Sequence, residues 1–216
     1  MPELLNETEA RVVGALIEKQ LTTPEYYPLT LNALVAACNQ KTNREPVVAY
    51  TEQDVQKSLD DLREKNLAYV FYGSTSRVPK YKHILDKVLE LESSEIAVLC
   101  VLLLRGAQTL GELRERTGRL YEFSGLGEVN ETLDNLSRRD EPLVLKLERQ
   151  AGQKEVRYAH LLCGAVSAAI YTPKTPFVNS AAGNERIEKI EVEVAALRNE
   201  INELRQTFET FRKQFE

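Results

Sequence analysis

No stretch of this chain is apolar for long enough to cross a bilayer. The longest run, Ile96 to Leu104, has nine residues, about half of the ~18–20 that a spanning helix needs. The opening Met-Pro-Glu-Leu-Leu-Asn-Glu has neither a basic start nor an apolar core, so secretion is not expected. Cysteine is scarce. Cys38, Cys100 and Cys163 are odd in number and far apart, so no disulfide framework is expected and a reduced, cytoplasmic protein is. There are two histidines, His83 and His160. With Cys163 they do not make four ligands, so no metal is expected.

The motifs of common catalytic sites are missing too. There is no zinc-protease helix motif, Walker loop or nucleophile elbow. Gly125-Leu126-Gly127 lacks the third glycine and the preceding strand of a dinucleotide fingerprint, and reads as a loop. A non-enzymatic protein without a cofactor is expected. A basic tail is also lacking. The 216 residues carry 28 basic and 33 acidic side chains for a net charge of −5. Residues 1–86 hold 10 basic and 12 acidic, 87–163 hold 11 and 13, and 164–216 hold 7 and 8, so no segment is built for non-specific nucleic-acid affinity.

What the chain does have is helical periodicity. Val12, Val13, Leu16 and Ile17 predict a first helix over Thr8 to Gln20, with Thr8 as its cap and Thr22-Thr23-Pro24 at its end. A second follows over Leu31 to Asn39. A loop spans Gln40 to Tyr50. Thr51 opens a third helix with the stripe Val55, Leu59 and Leu62. Ala68 to Tyr72 and Val78 to His83 read as a hairpin around Gly73-Ser74-Thr75-Ser76. Three helices and a hairpin is the order of a winged helix, in which the third helix customarily recognises and the hairpin is the wing.

The order then repeats. Ser94-Glu95-Ile96-Ala97-Val98-Leu99 aligns with Thr8-Glu9-Ala10-Arg11-Val12-Val13. Leu102 and Leu103 fall where Leu16 and Ile17 fell. Helices are predicted over Thr109 to Thr117 and Glu128 to Arg139, with strands over Leu143 to Glu148 and Glu155 to Leu161. Lys80-Tyr81-Lys82-His83 matches Arg157-Tyr158-Ala159-His160, which gives the two histidines one repeated structural role. The expected class is mainly α with small β-hairpin wings (α+β). The expected organisation is a first winged-helix domain over 1–86, a second over 87–163, a linker over 164–185 and a coiled coil over 186–216.

That last segment has the sharpest pattern. Ile187, Ile190, Val194, Leu197, Ile201, Leu204, Phe208, Phe211 and Phe215 alternate spacings of three and four. β-Branched a positions with leucine at d favour a parallel dimer. In such a pair Arg186 would face Glu191, Glu193 would face Arg198 and Glu200 would face Arg205. The alternative is an amphipathic helix packed on its own chain, to which three bulky phenylalanines are also suited.

Glu9-Ala10-Arg11-Val12-Val13-Gly14, Glu18-Lys19-Gln20 and Ala37-Cys38-Asn39-Gln40-Lys41-Thr42-Asn43-Arg44-Glu45-Pro46 resemble the YceH family of bacterial proteins. So do Leu103-Leu104-Arg105-Gly106-Ala107-Gln108-Thr109, Gly111-Glu112-Leu113-Arg114 and Tyr121-Glu122-Phe123. The likeness covers about residues 8–161. It implies tandem winged helices and no particular activity.

Candidate binding residues follow from charge. The loop residues Lys41, Thr42, Asn43 and Arg44 offer two cations and two small polar groups for an anion or acidic partner; alternatively Thr42 and Asn43 build a turn while Arg44 and Glu45 pair. Arg77, Lys80 and Lys82 lie on the first wing, Arg149, Lys154 and Arg157 on the second, and Arg138-Arg139 end the last helix. Arg114 to Tyr121 sets arginines near an aromatic, or is simply a polar helix face. Both third helices are acidic, with Glu52, Asp54, Asp60, Asp61 and Glu64 on one and Glu128, Glu131 and Asp134 on the other. Phosphates would repel such helices. The reading is therefore a homodimeric module for a protein partner. The alternative is a DNA-binding regulator that uses wings and loops on phosphates. Truncation after Asn184 is expected to give monomers in sedimentation; an unchanged dimer would refute the role of the heptads.

Overall fold

In the computed structural model, residues 4–72, 78–149 and 155–164 are described. The heptad segment, residues 165–185, Arg77 and Lys154 lie outside them. The class is α+β. Seven α-helices and two small antiparallel sheets occur among the described residues.

The first repeat runs α1 (Glu7–Thr22), β1 (Leu29–Thr30), α2 (Leu31–Cys38), α3 (Glu52–Glu64), β2 (Ala68–Phe71) and β3 (Lys80–His83). A four-residue helix α4 (Leu85–Val88) follows. The second runs α5 (Ser93–Arg105), β4 (Gln108–Thr109), α6 (Leu110–Thr117), α7 (Leu126–Arg138), β5 (Val144–Lys146) and β6 (Arg157–His160). The last strand of each repeat is the middle strand of its sheet, in the orders β1-β3-β2 and β4-β6-β5. Tyr81 pairs with Leu29 and Val70, and Tyr158 pairs with Gln108 and Lys146. The matched tetrapeptides thus occupy equivalent strands.

Local chemistry sets the helix starts. Asn6, not Thr8, caps α1: Glu9 N donates to Asn6 Oδ1 at 2.9 Å and Asn6 N donates to Glu9 Oε2 at 2.9 Å. A reciprocal pair satisfies two end groups at once, which moves the start two residues upstream of the only threonine near it. Glu95 repeats the arrangement by accepting from Glu92 N at 3.0 Å. Thr51 and Thr109 cap α3 and α6 through Asp54 and Glu112. Leu126 and Gly127 belong to the first turn of α7 rather than to a loop. Glu128 accounts for this: it accepts from the Ser124 amide and hydroxyl, both at 2.8 Å, and anchors the chain before the turn. β1, β4 and α4 carry no periodic signal because they are two to four residues long.

The two repeats share one core, and all the described residues fall within one compact unit. α1 and α5 are its spine. Val12, Val13, Leu16 and Ile17 on α1, and Val98, Leu99, Leu102 and Leu103 on α5, are buried. Offset by the repeat, Gly14 is the equivalent of Cys100, and the two meet: Cys100 Sγ donates to Gly14 O at 3.5 Å. A β-carbon on Gly14 would lie 2.9 Å from Leu104 Cδ2 and 3.1 Å from Leu103 Cβ. Glycine is what lets the helices approach this closely. Cross-bracing comes from Glu45 N to Leu104 O at 2.9 Å and Leu5 N to Leu162 O at 2.8 Å.

His83 and His160 occupy matching ends of β3 and β6. Burial pulls the pKa of each down to about 4, so both rings are neutral at pH 7. Replacing Gly14 with valine should lower the urea-unfolding free energy by about 1–3 kcal/mol through overpacking of α1 on α5. An unchanged midpoint would show that the helix contact is loose.

Candidate functional site: a cationic cleft between the repeats

Arg44 is buried, and all five of its N–H groups are taken. Nη1 and Nη2 donate to Glu18 Oε1 and Oε2 at 2.9 and 2.7 Å, a bidentate pair. Nε and Nη2 donate to Ala37 O at 3.2 and 2.9 Å, Nη1 to Asn43 O at 2.9 Å, and Nη2 to Gln40 Oε1 at 3.2 Å. The planar five-donor fork of arginine suits such a cage and a lysine would not fill it. Arg44 is thus a structural residue here, and its carboxylate is Glu18 on α1 rather than the neighbouring Glu45. Burial raises the pKa of Glu18, but the hydrogen bond and charge of Arg44, with Lys19, outweigh it and hold the carboxyl below its usual range. Arg11 works beside it, donating to Pro46 O at 2.6 Å and Cys38 O at 3.4 Å.

This network fixes the loop after α2. Asn43 takes the left-handed conformation at φ 58°, which asparagine tolerates, and its Oδ1 accepts from Arg105 at the end of α5. The loop thereby becomes one wall of a cleft of about 170 Å³. Lys19, Gln40, Thr42 and Asn43 come from the first repeat, and Arg105, Arg116 and Arg119 from the second. The two stretches singled out for charge, Lys41 to Pro46 and Arg114 to Tyr121, therefore meet in space. Lys19 and Arg105 occupy equivalent positions at the C-terminal ends of α1 and α5, a symmetry that the repeat alignment already contained.

The charge of the cleft is unbalanced. Glu18 is shared by Arg44 and Lys19, the latter at 3.1 Å. Glu112 is shared by Arg157 at 2.7 Å and Arg116 at 3.4 Å. Burial, then repulsion from Arg116 and Arg44, lowers the pKa of Arg105, which means that like charges are held together here.

The other candidate residues lie elsewhere. Lys41 is exposed on the loop. Arg157 also donates to Ala107 O at 2.9 Å, so it braces β6 against the start of β4. Arg139 lies 3.7 Å from Glu95 and bonds Leu89 O, tying α7 to the stretch before α5. Arg138 is 78% exposed and 3.6 Å from Asp134. Lys82 sits 5.9 Å over the Tyr69 ring, and Lys80 faces Phe71 across the hairpin. Several of the described basic residues are thus consumed by internal pairs. Among the described residues no group of three or more His, Cys, Asp or Glu could hold a metal, and no helix there is long and apolar enough to cross a membrane.

The fold and cleft define a class: two copies of one small α+β unit fused through a common helical spine, with polar groups from both copies converging between them. The family described as "Protein of unknown function, DUF480" matches residues 5–153. A UPF0502 protein of Pelobacter propionicus is 50% identical over the full length of both chains. One from Opitutus terrae is 54% identical over 90% of this chain and 84% of its own. The UPF0502 protein YceH of Salmonella schwarzengrund is 47% identical over 93% and 95%. The chain belongs to this YceH family of uncharacterised proteins.

Replacing Glu18 with glutamine leaves the Arg44 charge buried without its counterion, and is expected to cost about 3–5 kcal/mol of stability at pH 7. The Glu18 carboxyl has a depressed folded-state pKa, so its contribution is full above the unfolded value of 4.5 and fades as pH falls through the folded one. The gap between wild type and E18Q in chemical denaturation should therefore shrink below about pH 4.5. A gap that stays constant down to pH 3 would refute the ion pair.

Proposed function

We propose that each repeat is a winged-helix domain, that 186–216 is a coiled coil joining two copies, and that the whole is a non-enzymatic, cytoplasmic module for a protein partner. The observation that carries this is the exposed face of α3. Glu52, Asp54 and Glu64 are exposed, and Asp60 and Asp61 partly so. Of the two cations on the helix, Arg63 is held by Asp60 at 3.1 Å, which leaves Lys57. α7 repeats the situation: Glu131 is exposed, and Arg138 pairs with Asp134. In a winged helix these are the surfaces that would enter a DNA groove, and an acidic surface is repelled by phosphates.

A second feature supports a protein partner. On the first hairpin Tyr69 and Phe71 are exposed beside Lys82 and Lys80, and Tyr72 is 69% exposed. Exposed aromatics rimmed by charge suit protein recognition. The heptads of the C-terminal segment would present two such sets about one axis. The competing reading is a DNA-binding regulator, favoured by the habit of the fold alone.

Fluorescence anisotropy with labelled duplex DNA discriminates the two. The expectation is no saturable binding at 50 mM salt. Binding that weakens with a log–log salt slope of about −4 to −5, as four to six phosphate contacts would give, establishes the regulator instead. For the partner reading, a protein cross-linked to the chain in cells should be lost from the E52K/E64K variant and retained by K41A.

A further inference from the structure

The cleft between the repeats has a property that the partner reading does not use. Six cations surround it or back its walls: Lys19, Arg44, Arg105, Arg116, Arg119 and Arg157. Glu18 and Glu112 each serve two of them. Some of the surplus answers the carbonyl ends of α1, α5 and α6, each worth roughly half a negative charge. Even with those ends and Glu45 counted, positive charge exceeds negative. Arg105 and Arg116 both line the cleft, and Glu18, the carboxylate on its lining, is already taken by Arg44 and Lys19. The lining mixes polar groups, Thr42 and Asn43 from the first repeat and the exposed Arg119 from the second, with the apolar Val101, Leu104 and Leu120.

We propose that this cleft binds a small phosphate-bearing molecule, its phosphoryl group held by Arg105, Arg116, Arg119 and Lys19, with Thr42 and Asn43 on the facing wall. Size limits the ligand. About 170 Å³ is far more than the ~10–15 Å³ that one water needs and less than the ~300–1,000 Å³ of sites for drug-sized ligands. A phosphate ester of a few carbons fits those limits. Arginine suits the task, because its planar donors match phosphate oxygens in pairs. Walls drawn from both repeats also make the ligand a clamp: whatever binds there stabilises the docking of one repeat on the other. The proposal is independent of the identity of the partner that α3 and α7 meet.

Titration calorimetry of the full chain tests it, with inorganic phosphate and ribose 5-phosphate as probes and ionic strength held constant with sodium chloride. One-to-one saturable binding of the ester is expected, weakened at least tenfold in R119A and in R105Q. R114A, an exposed arginine of α6 outside the cleft, should bind as wild type does. Circular dichroism and thermal unfolding in phosphate-free buffer check that each variant is folded, and R119A guards against a structural effect of R105Q. No saturable binding of either probe overturns the proposal, as does equal affinity in wild type, R105Q and R119A. Duplex DNA that binds in a way lost with R105Q and R119A, while neither probe binds, also overturns it by making the cleft a clasp for a nucleic-acid backbone.

Discussion

One buried ion pair sets the geometry on which the rest depends. Arg44 and Glu18 satisfy each other at two points, and the remaining donors of Arg44 close on backbone carbonyls and on Gln40. Burying two charges costs several kcal/mol per ion before any attraction is counted, so such a pair persists only where every donor finds an acceptor. Here every one does. The result is a rigid loop after α2, and that loop is what the second repeat leans on through Glu45 and Asn43. Besides stabilising the fold, the network specifies how the two repeats meet.

The spine of α1 and α5 supplies the complementary, apolar half of that specification. Gly14 gives the close approach, and leucines from both helices fill the space around it. A chain that buries helices on both sides in this way cannot let its repeats swing freely, because separating them would expose nearly continuous apolar surface. The two acidic helices α3 and α7 are therefore presented in a fixed relation.

The same closeness explains the cations. Equivalent positions of the repeat, Lys19 and Arg105, come together at the ends of the spine, and the ends of α2 and α6 bring Gln40 and Arg119 to the same place. Duplication of a unit with a basic helix end concentrates charge wherever those ends converge. The carboxylates that could neutralise it are already divided between partners.

Most of the secondary structure was legible in the chain. The apolar stripes of α1, α3, α5 and α7 fall where spacing put them, and the repeat predicted that β3 and β6 would be equivalent. Periodicity works because a helix buries one face, and the sequence records which. It could not find β1, β4 or α4, which are too short to show a period; β1 and β4 form only by pairing with the free sides of β3 and β6. Arg44 and Arg157 read as available cations because a one-dimensional count has no knowledge of Glu18, 26 positions away, or of Glu112, 45 positions away. The amino-acid order alone determined the longer helices, the hairpin strands, the duplication and the sign of each face, since these follow from neighbours along the chain. The pairing of charges, the cleft and the fusion of two repeats into one body were decided only when α1 met α5, because desolvation and Coulomb attraction act through space.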